Sequence, residues 1–136
     1  MKKSKSAHRY LLIVNPEAGS HSTMKALPEI ERLLRARGAD YEFHFTKEPG
    51  HATELVKEVE ADFDVVVSVG GDGTINEIVN GMPDLNKPLG LLPIGTGNDF
   101  ARSISLKVGD LENAVEVLLA HDIKKIDLGE ANGRRF

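Results

Sequence analysis

The sequence predicts an α/β fold: a three-layer sandwich built on a mainly parallel, doubly wound sheet. Three observations carry that expectation. Short apolar runs rich in branched residues alternate with segments of helical period along most of the chain. The run Asp64–Val69 reads as buried on both faces, as a central parallel strand must be. Three glycine-rich turns follow the first, third and fourth predicted strands, and right-handed crossovers bring such turns to one edge of a parallel sheet.

The elements follow in chain order. Residues 1–9 read as a flexible, solvated tail, because Lys2, Lys3 and Lys5 precede no secretory apolar segment. Tyr10–Asn15 is a buried strand by its length and branching, and Asn15-Pro16 ends it. Ser22–Arg37 carries Leu27, Ile30, Leu33 and Leu34 on one helical face, and Gly38 supplies the stop. Pro28 either opens this helix or kinks it. Tyr41–Thr46 alternates with period two, the mark of a strand nearer an edge. Leu55, Val56 and Val59 define a short helix. After the central strand, Thr74–Asn80 is helical, and Thr74 with Glu77 three residues on matches a capping box. Leu89–Pro93 is a strand, Leu111–Leu119 an amphipathic helix, and Ile123, Ile126 and Leu128 belong to a last strand. Asn132-Gly133 signals a hairpin turn three residues before Phe136, so the chain reads as a fragment ending where another structural unit begins.

Composition removes several function classes. At 136 residues the chain is one domain. With 17 basic and 21 acidic residues its net charge is -4, which argues against non-specific nucleic-acid binding. Cysteine is absent, which excludes disulfides and thiolate chemistry and fits a reducing, cytoplasmic compartment. The longest apolar runs, Leu11–Val14 and Val65–Val67, are too short to span a bilayer. The 5 histidines show no metal-ligand spacing and read as surface or tail residues, His44 and His51 among them.

The chemistry lies in three loops: "NPEAGS" (Asn15–Ser20), "GGDGTINE" (Gly70–Glu77) and "PIGTGNDF" (Pro93–Phe100). Glycines let backbone amides turn inward into an anion-binding concavity, and a helix N-terminus beside them adds donors and a favourable dipole. Phosphate is the ligand they predict. No Gly-Lys-Ser/Thr follows, so this is not a P-loop. Asn76 stands where a dinucleotide fingerprint needs its third glycine, and the second strand ends in Thr46-Lys47 rather than an acidic residue. Asp72 sits among these amides, where its carboxylate would repel a phosphate unless a cation intervenes. A magnesium nucleotide satisfies that condition, since Mg²⁺ takes one or two carboxylates plus phosphate oxygens. A helix-capping role for Asp72 or Thr74 is the alternative.

"GGDGTINEIVNG" followed by "LGLLPIGTGNDFAR", with "VNPEAG" after the first strand, resembles the catalytic domain of diacylglycerol kinases and their bacterial lipid-kinase relatives, which include sphingosine and ceramide kinases. The resemblance covers essentially the whole chain and implies a sheet of the NAD kinase and phosphofructokinase type. It implies that residues 10–122 bind ATP with Mg²⁺, that 123–136 begin a truncated second, mainly β domain, and that the active site lies between the two. By matched motif, Asn15, Pro16, Gly19 and Thr46 would line the nucleotide site. Gly70, Gly71, Gly73, Thr74, Asn76 and Glu77 would form its phosphate cradle, and Thr96, Gly97 and Asn98 would complete it. Asp72 would be the essential catalytic carboxylate, reaching the metal through Mg-ATP; Asp99 is as well explained by a helix cap. The γ-phosphoryl group would pass to a lipid hydroxyl, such as that of diacylglycerol, at the membrane surface. The residues activating that hydroxyl, and a structural metal site, would lie beyond Phe136, so this chain alone would bind ATP and transfer nothing. A small-molecule kinase of the NAD kinase type and a non-catalytic nucleotide-binding regulator are the alternatives. The sequence leaves a homodimer open, and peripheral membrane association too.

Overall fold

The computed structural model describes residues 8–17, 22–82, 87–94 and 111–120, and the backbone of 130–131 and 134–135. Strand β1 (Arg9–Val14) leads to helix α1 (Ser22–Ala36), β2 (Asp40–Phe45) and α2 (His51–Val59). A short 3-10 turn (Glu60–Asp62) precedes β3 (Val65–Gly70), α3 (Asp72–Gly81), β4 (Leu89–Pro93) and α4 (Leu111–Ala120). A two-residue pair, β5 (Glu130–Ala131) and β6 (Arg134–Arg135), is antiparallel; the expected turn residues Asn132 and Gly133 lie outside the described residues.

The sheet runs β2-β1-β3-β4, with every pair parallel. The chain steps from β1 to β2 in one direction, then returns across β1 to place β3 on its other side. With right-handed crossovers, that reversal sends α2 and α3 to the face opposite α1. The core divides accordingly. Tyr10, Leu12, Val14, Val65, Val67 and Val69 pack with α1 and α4, through Ile30, Leu34, Val115 and Leu118. Leu11, Ile13 and Val66 pack with α2 and α3, through Ala52, Val56, Ile78 and Met82. Strands β1 and β3 are therefore apolar at successive positions, while β2 alternates: Asp40 and Glu42 are exposed, and Tyr41 and Phe43 lean on the core.

Two helix ends refine the expected boundaries. Pro28 lies inside a continuous α1 and does not open it. Gly38 ends that helix at φ 69, with its amide donating to Arg35 O at 3.0 Å and the Ala39 amide to Leu34 O at 3.1 Å. This is the left-handed C-terminal motif that only glycine adopts cheaply. Helix α3 begins at Asp72, two residues before the expected Thr74, with Gly71 as N-cap and no side-chain cap hydrogen bond. The expected capping box is thus replaced: Thr74 is the third helical residue, and Glu77 turns to another helix. An acidic residue in the first turn suits the positive end of the helix dipole, which explains the earlier start.

Charges of both signs close the edge of the sheet where the strands begin. The Arg9 amide donates to Asp64 Oδ2 at 2.7 Å, and its guanidinium donates to Asp62 O at 3.0 Å while lying 4.7 Å from the centre of the Phe63 ring. Lys87 Nζ, largely buried, donates to the carbonyls of Glu60 and Phe63 at 2.7 and 2.8 Å and lies 2.6 Å from Glu60 Oε1.

Helices α2 and α3 touch at their backbones. A Cβ placed on Gly81 would collide with the carbonyl oxygen of Thr53, an atom that cannot rotate away. Gly81→Ala is expected to force the two helices apart and cost about 1–3 kcal/mol, the scale of overpacking a core; urea unfolding of the variant against the parent measures it.

Candidate functional site

Parallel pairing fixes which loops meet. Val14 is level with Phe45 of β2 and Val69 of β3, and Gly70 with Pro93 of β4. One step further, Asn15 comes level with Thr46 on one side and Gly70 on the other. The ladders reach that far: the Thr46 amide donates to Val14 O at 2.9 Å, and the Ile94 amide to Gly70 O at 3.1 Å. Between β1 and β3 the connections leave in opposite directions, and open α/β sheets form their ligand crevice at such a reversal.

Each side of the crevice is built by local rules. At β1, Asn15 Oδ1 accepts the Glu17 amide at 3.0 Å, an Asx turn that swings the chain off the strand through Pro16. At β3 the passage into α3 is immediate. Gly70 has φ 152, Gly71 is the N-cap, and the first helical hydrogen bond runs from the Ile75 amide to Gly71 O at 3.3 Å. The N-terminus of a ten-residue helix therefore opens directly at the strand end, and its positive end faces the same edge. Asp72 is the first residue of that helix and half-buried.

Polar burial follows the same geography. The buried polar side chains among the described residues are Thr23, Thr46, Ser68 and Thr74. Thr23 lies in the first turn of α1, Thr74 in the first turn of α3, Thr46 just past β2, and Ser68 two residues from the end of β3. Ser68 Oγ has no hydrogen-bond partner among the described residues. An apolar interior thus gives way to hydroxyls at one edge only. That edge can hold an anion; the opposite edge is already neutralised by Arg9, Lys87 and their partners.

Of the residues singled out in the sequence, Asn15, Pro16, Thr46, Gly70, Gly71, Asp72, Gly73, Thr74 and Asn76 come from the strand ends and helix starts of this one edge. Gly19, Thr96, Gly97, Asn98 and Asp99 lie outside the described residues, as do Ile123, Ile126 and Leu128. Glu77 behaves differently: its carboxylate accepts the amides of Gly50 at 3.1 Å and Ala52 at 3.3 Å, at the start of α2. Thr53 Oγ1 donates to Glu77 O at 2.7 Å. Gly50, Thr53 and Gly81 escaped the sequence reading, because a cap supplied from a different helix leaves no local spacing. His51 also has a built-in partner: its Nδ1 accepts the Lys47 amide at 2.9 Å. Among the described residues no three acidic, imidazole or thiol groups converge as a metal site.

The description "Diacylglycerol kinase catalytic domain" matches residues 9–131. The chain belongs to this family. It is 37% identical over 131 residues to a diacylglycerol kinase of Bacillus subtilis, and 37% identical over 128 residues to one of Staphylococcus haemolyticus. These stretches cover 94% and 92% of this chain but 43% and 38% of the relatives, so it spans less than half their length. A crystal structure of a diacylglycerol kinase from Bacillus anthracis superposes with a TM-score of 0.82 at 34% identity, over 99% of this chain and 47% of that one. A second, described as a putative diacylglycerol kinase from the same organism, gives 0.80 at 34% identity, over 100% of this chain and 50% of that one. The four-stranded parallel sheet with helices on both faces is thus the fold of the diacylglycerol kinase catalytic domain.

Within this member of the diacylglycerol kinase catalytic domain family, Gly73 is a glycine that packing does not require. It is exposed in the first turn of α3, and a Cβ there would meet no atom within 4 Å. The fold gives no reason for a glycine, and a helical glycine costs about 0.5–1 kcal/mol relative to alanine. Gly73→Ala is expected to raise the unfolding free energy of the whole protein slightly. Thermal melting of the variant beside the parent measures it.

Proposed function

We propose that this chain is the ATP-binding half of a lipid kinase, which moves the γ-phosphoryl group of ATP to a lipid hydroxyl such as that of diacylglycerol. The observation that carries this reading is the concentration of buried hydroxyls and an opened helix N-terminus at the β1/β3 reversal, in a chain of the diacylglycerol kinase catalytic domain family. On this reading residues 10–122 bind nucleotide, and 123–136 open a second, mainly β domain that completes the cleft and receives the lipid. In this scheme the lipid is met at the bilayer surface; no helix among the described residues is long and apolar enough to cross a membrane.

The residues divide the work. Asn15 and Pro16 bend the chain off β1 and, with Gly19 and Thr46, line the nucleotide. Gly70, Gly71, Gly73, Thr74 and Asn76 present the α3 amides and dipole to the phosphates. Thr96, Gly97 and Asn98 close the pocket. One carboxylate beside a triphosphate suits Mg²⁺, which keeps phosphate oxygens and waters as its other ligands; when bound it would neutralise charge on the phosphates. Asp72 would be its protein partner. Phosphoryl transfer asks mainly for positioning and charge neutralisation, and a rigid strand-to-helix turn supplies the first.

Asp72→Asn tests the assignment, because it keeps size and most hydrogen bonding but removes the charge. Turnover of the whole enzyme on diacylglycerol is expected to fall about a hundredfold or more, the scale of losing one preorganised electrostatic group. Metal-free nucleotide should bind equally well or more tightly, since a repulsion is gone. Stability should drop by only about 0.3–1 kcal/mol, the worth of one charge at a helix N-terminus. An Asn variant that loses much more stability, with activity following the folded fraction, would refute the catalytic role.

A further inference from the structure

Helix α2 starts without a cap of its own. Its N-cap is Gly50, at φ 85, and no local side chain accepts a first-turn amide there. The missing acceptor comes from 27 residues downstream: Glu77 Oε2 accepts the Gly50 amide, and Glu77 Oε1 accepts the Ala52 amide. A carboxylate there satisfies two otherwise orphaned donors and places negative charge at the positive end of α2. The grip is reinforced in both directions. Thr53 Oγ1 donates to Glu77 O, and Gly81 lets the α2 backbone come close.

Glu77 stands one helical turn beyond Thr74, on the helix that opens at the phosphate-facing edge. Gly50 closes the loop that leaves β2 directly after Thr46. That loop is itself ordered, with the Lys47 amide on His51 Nδ1 and the His51 amide on Glu48 O at 3.1 Å. One side chain thus joins α3, the helix that follows β3, to the end of the loop after β2.

We propose that Glu77 is a positioning residue for nucleotide binding: it fixes the Lys47–Gly50 loop against α3 and so sets the separation of the two walls that flank ATP. The inference rests on the ATP-binding reading and deepens it. It gives Glu77 a role through α2, without contact to phosphate or metal.

Glu77→Gln is the test, in the whole protein. The amide keeps one acceptor oxygen but turns an N–H donor toward a second backbone donor, and it removes the charge. The expected result is a KM for ATP, and a calorimetric Kd for ATP, raised about tenfold, with kcat within about threefold of the parent and an unchanged KM for the lipid. A loss of this kind is uniform binding of ground and transition states. The amides of Gly50 and Ala52 should exchange with deuterium about tenfold faster. Lys87→Met, at the far edge of the sheet, is the control: it lowers the melting temperature and leaves the KM for ATP alone. If Glu77→Gln does not fold, Glu77→Asp replaces it, since its shorter carboxylate keeps the charge but cannot span both amides.

A lowered melting temperature with parental KM and Kd for ATP would reduce Glu77 to a structural cap and overturn the proposal. A collapse of kcat at unchanged KM would overturn it in favour of direct action on the reacting phosphates. If the parent binds ATP but phosphorylates no lipid, the lipid-kinase reading falls while the Kd comparison still judges Glu77.

Discussion

The pairing of β1 with β3 is the constraint on which everything else in this molecule rests. Each strand is buried on both faces and carries apolar side chains on both, and neither could sit at an edge without exposing that surface. Because β1 has already paired with β2 on its other side, joining β3 obliges the chain to reverse its direction of travel. The reversal separates the helices into two layers and leaves a crevice where the departing loops diverge. The crevice is thus a by-product of strand order, and Asn15, Gly70, Gly71 and Asp72 stand at it.

The division between the two ends of the sheet follows from the same geometry. Where strands begin, charged side chains neutralise each other, Arg9 with Asp40 and Glu42, and Lys87 with Glu60. Where strands end, helices start, and their first amides need acceptors. At α2 that acceptor is protein, the Glu77 carboxylate. At α3 the N-cap is a glycine with nothing to offer, and its neighbour Gly73 leaves open space instead of a methyl group. Two neighbouring helix starts thus differ: α2 is capped by a side chain from α3, and α3 has a glycine N-cap with no side-chain cap hydrogen bond.

Much of this was legible in the residues because the relevant signals are local. Branched apolar runs gave β1 and β3, alternation gave the exposed character of β2, and Gly38 gave the end of α1. The meeting of the turns after β1 and β3 at one edge was legible for a similar reason: they sit next to the strands they follow, and parallel topology gathers them. What escaped was non-local. Thr74 and Glu77 have capping-box spacing, and only the third dimension reveals that Glu77 serves a helix that precedes it in the chain. Gly81 looks like an ordinary helix-ending glycine until Thr53 is seen against it. Pro28 was undecidable because a proline tolerated inside a helix and one that starts it leave the same local pattern.

The distance along the chain between β1 and β3 has a consequence for how the protein is made. The Arg9 amide is held by Asp64, 55 positions later. As the polypeptide leaves the ribosome, β1 can find β2 early, but its other side has no mate until α2 and the 3-10 turn have emerged. For that interval an apolar strand presents unpaired backbone groups to its surroundings, the condition under which nascent chains associate with one another. Parallel pairing through long crossovers is slow to form for the same entropic reason. Strand order makes the ligand crevice possible, and it also makes this first stretch of the chain the one most in need of protection during synthesis.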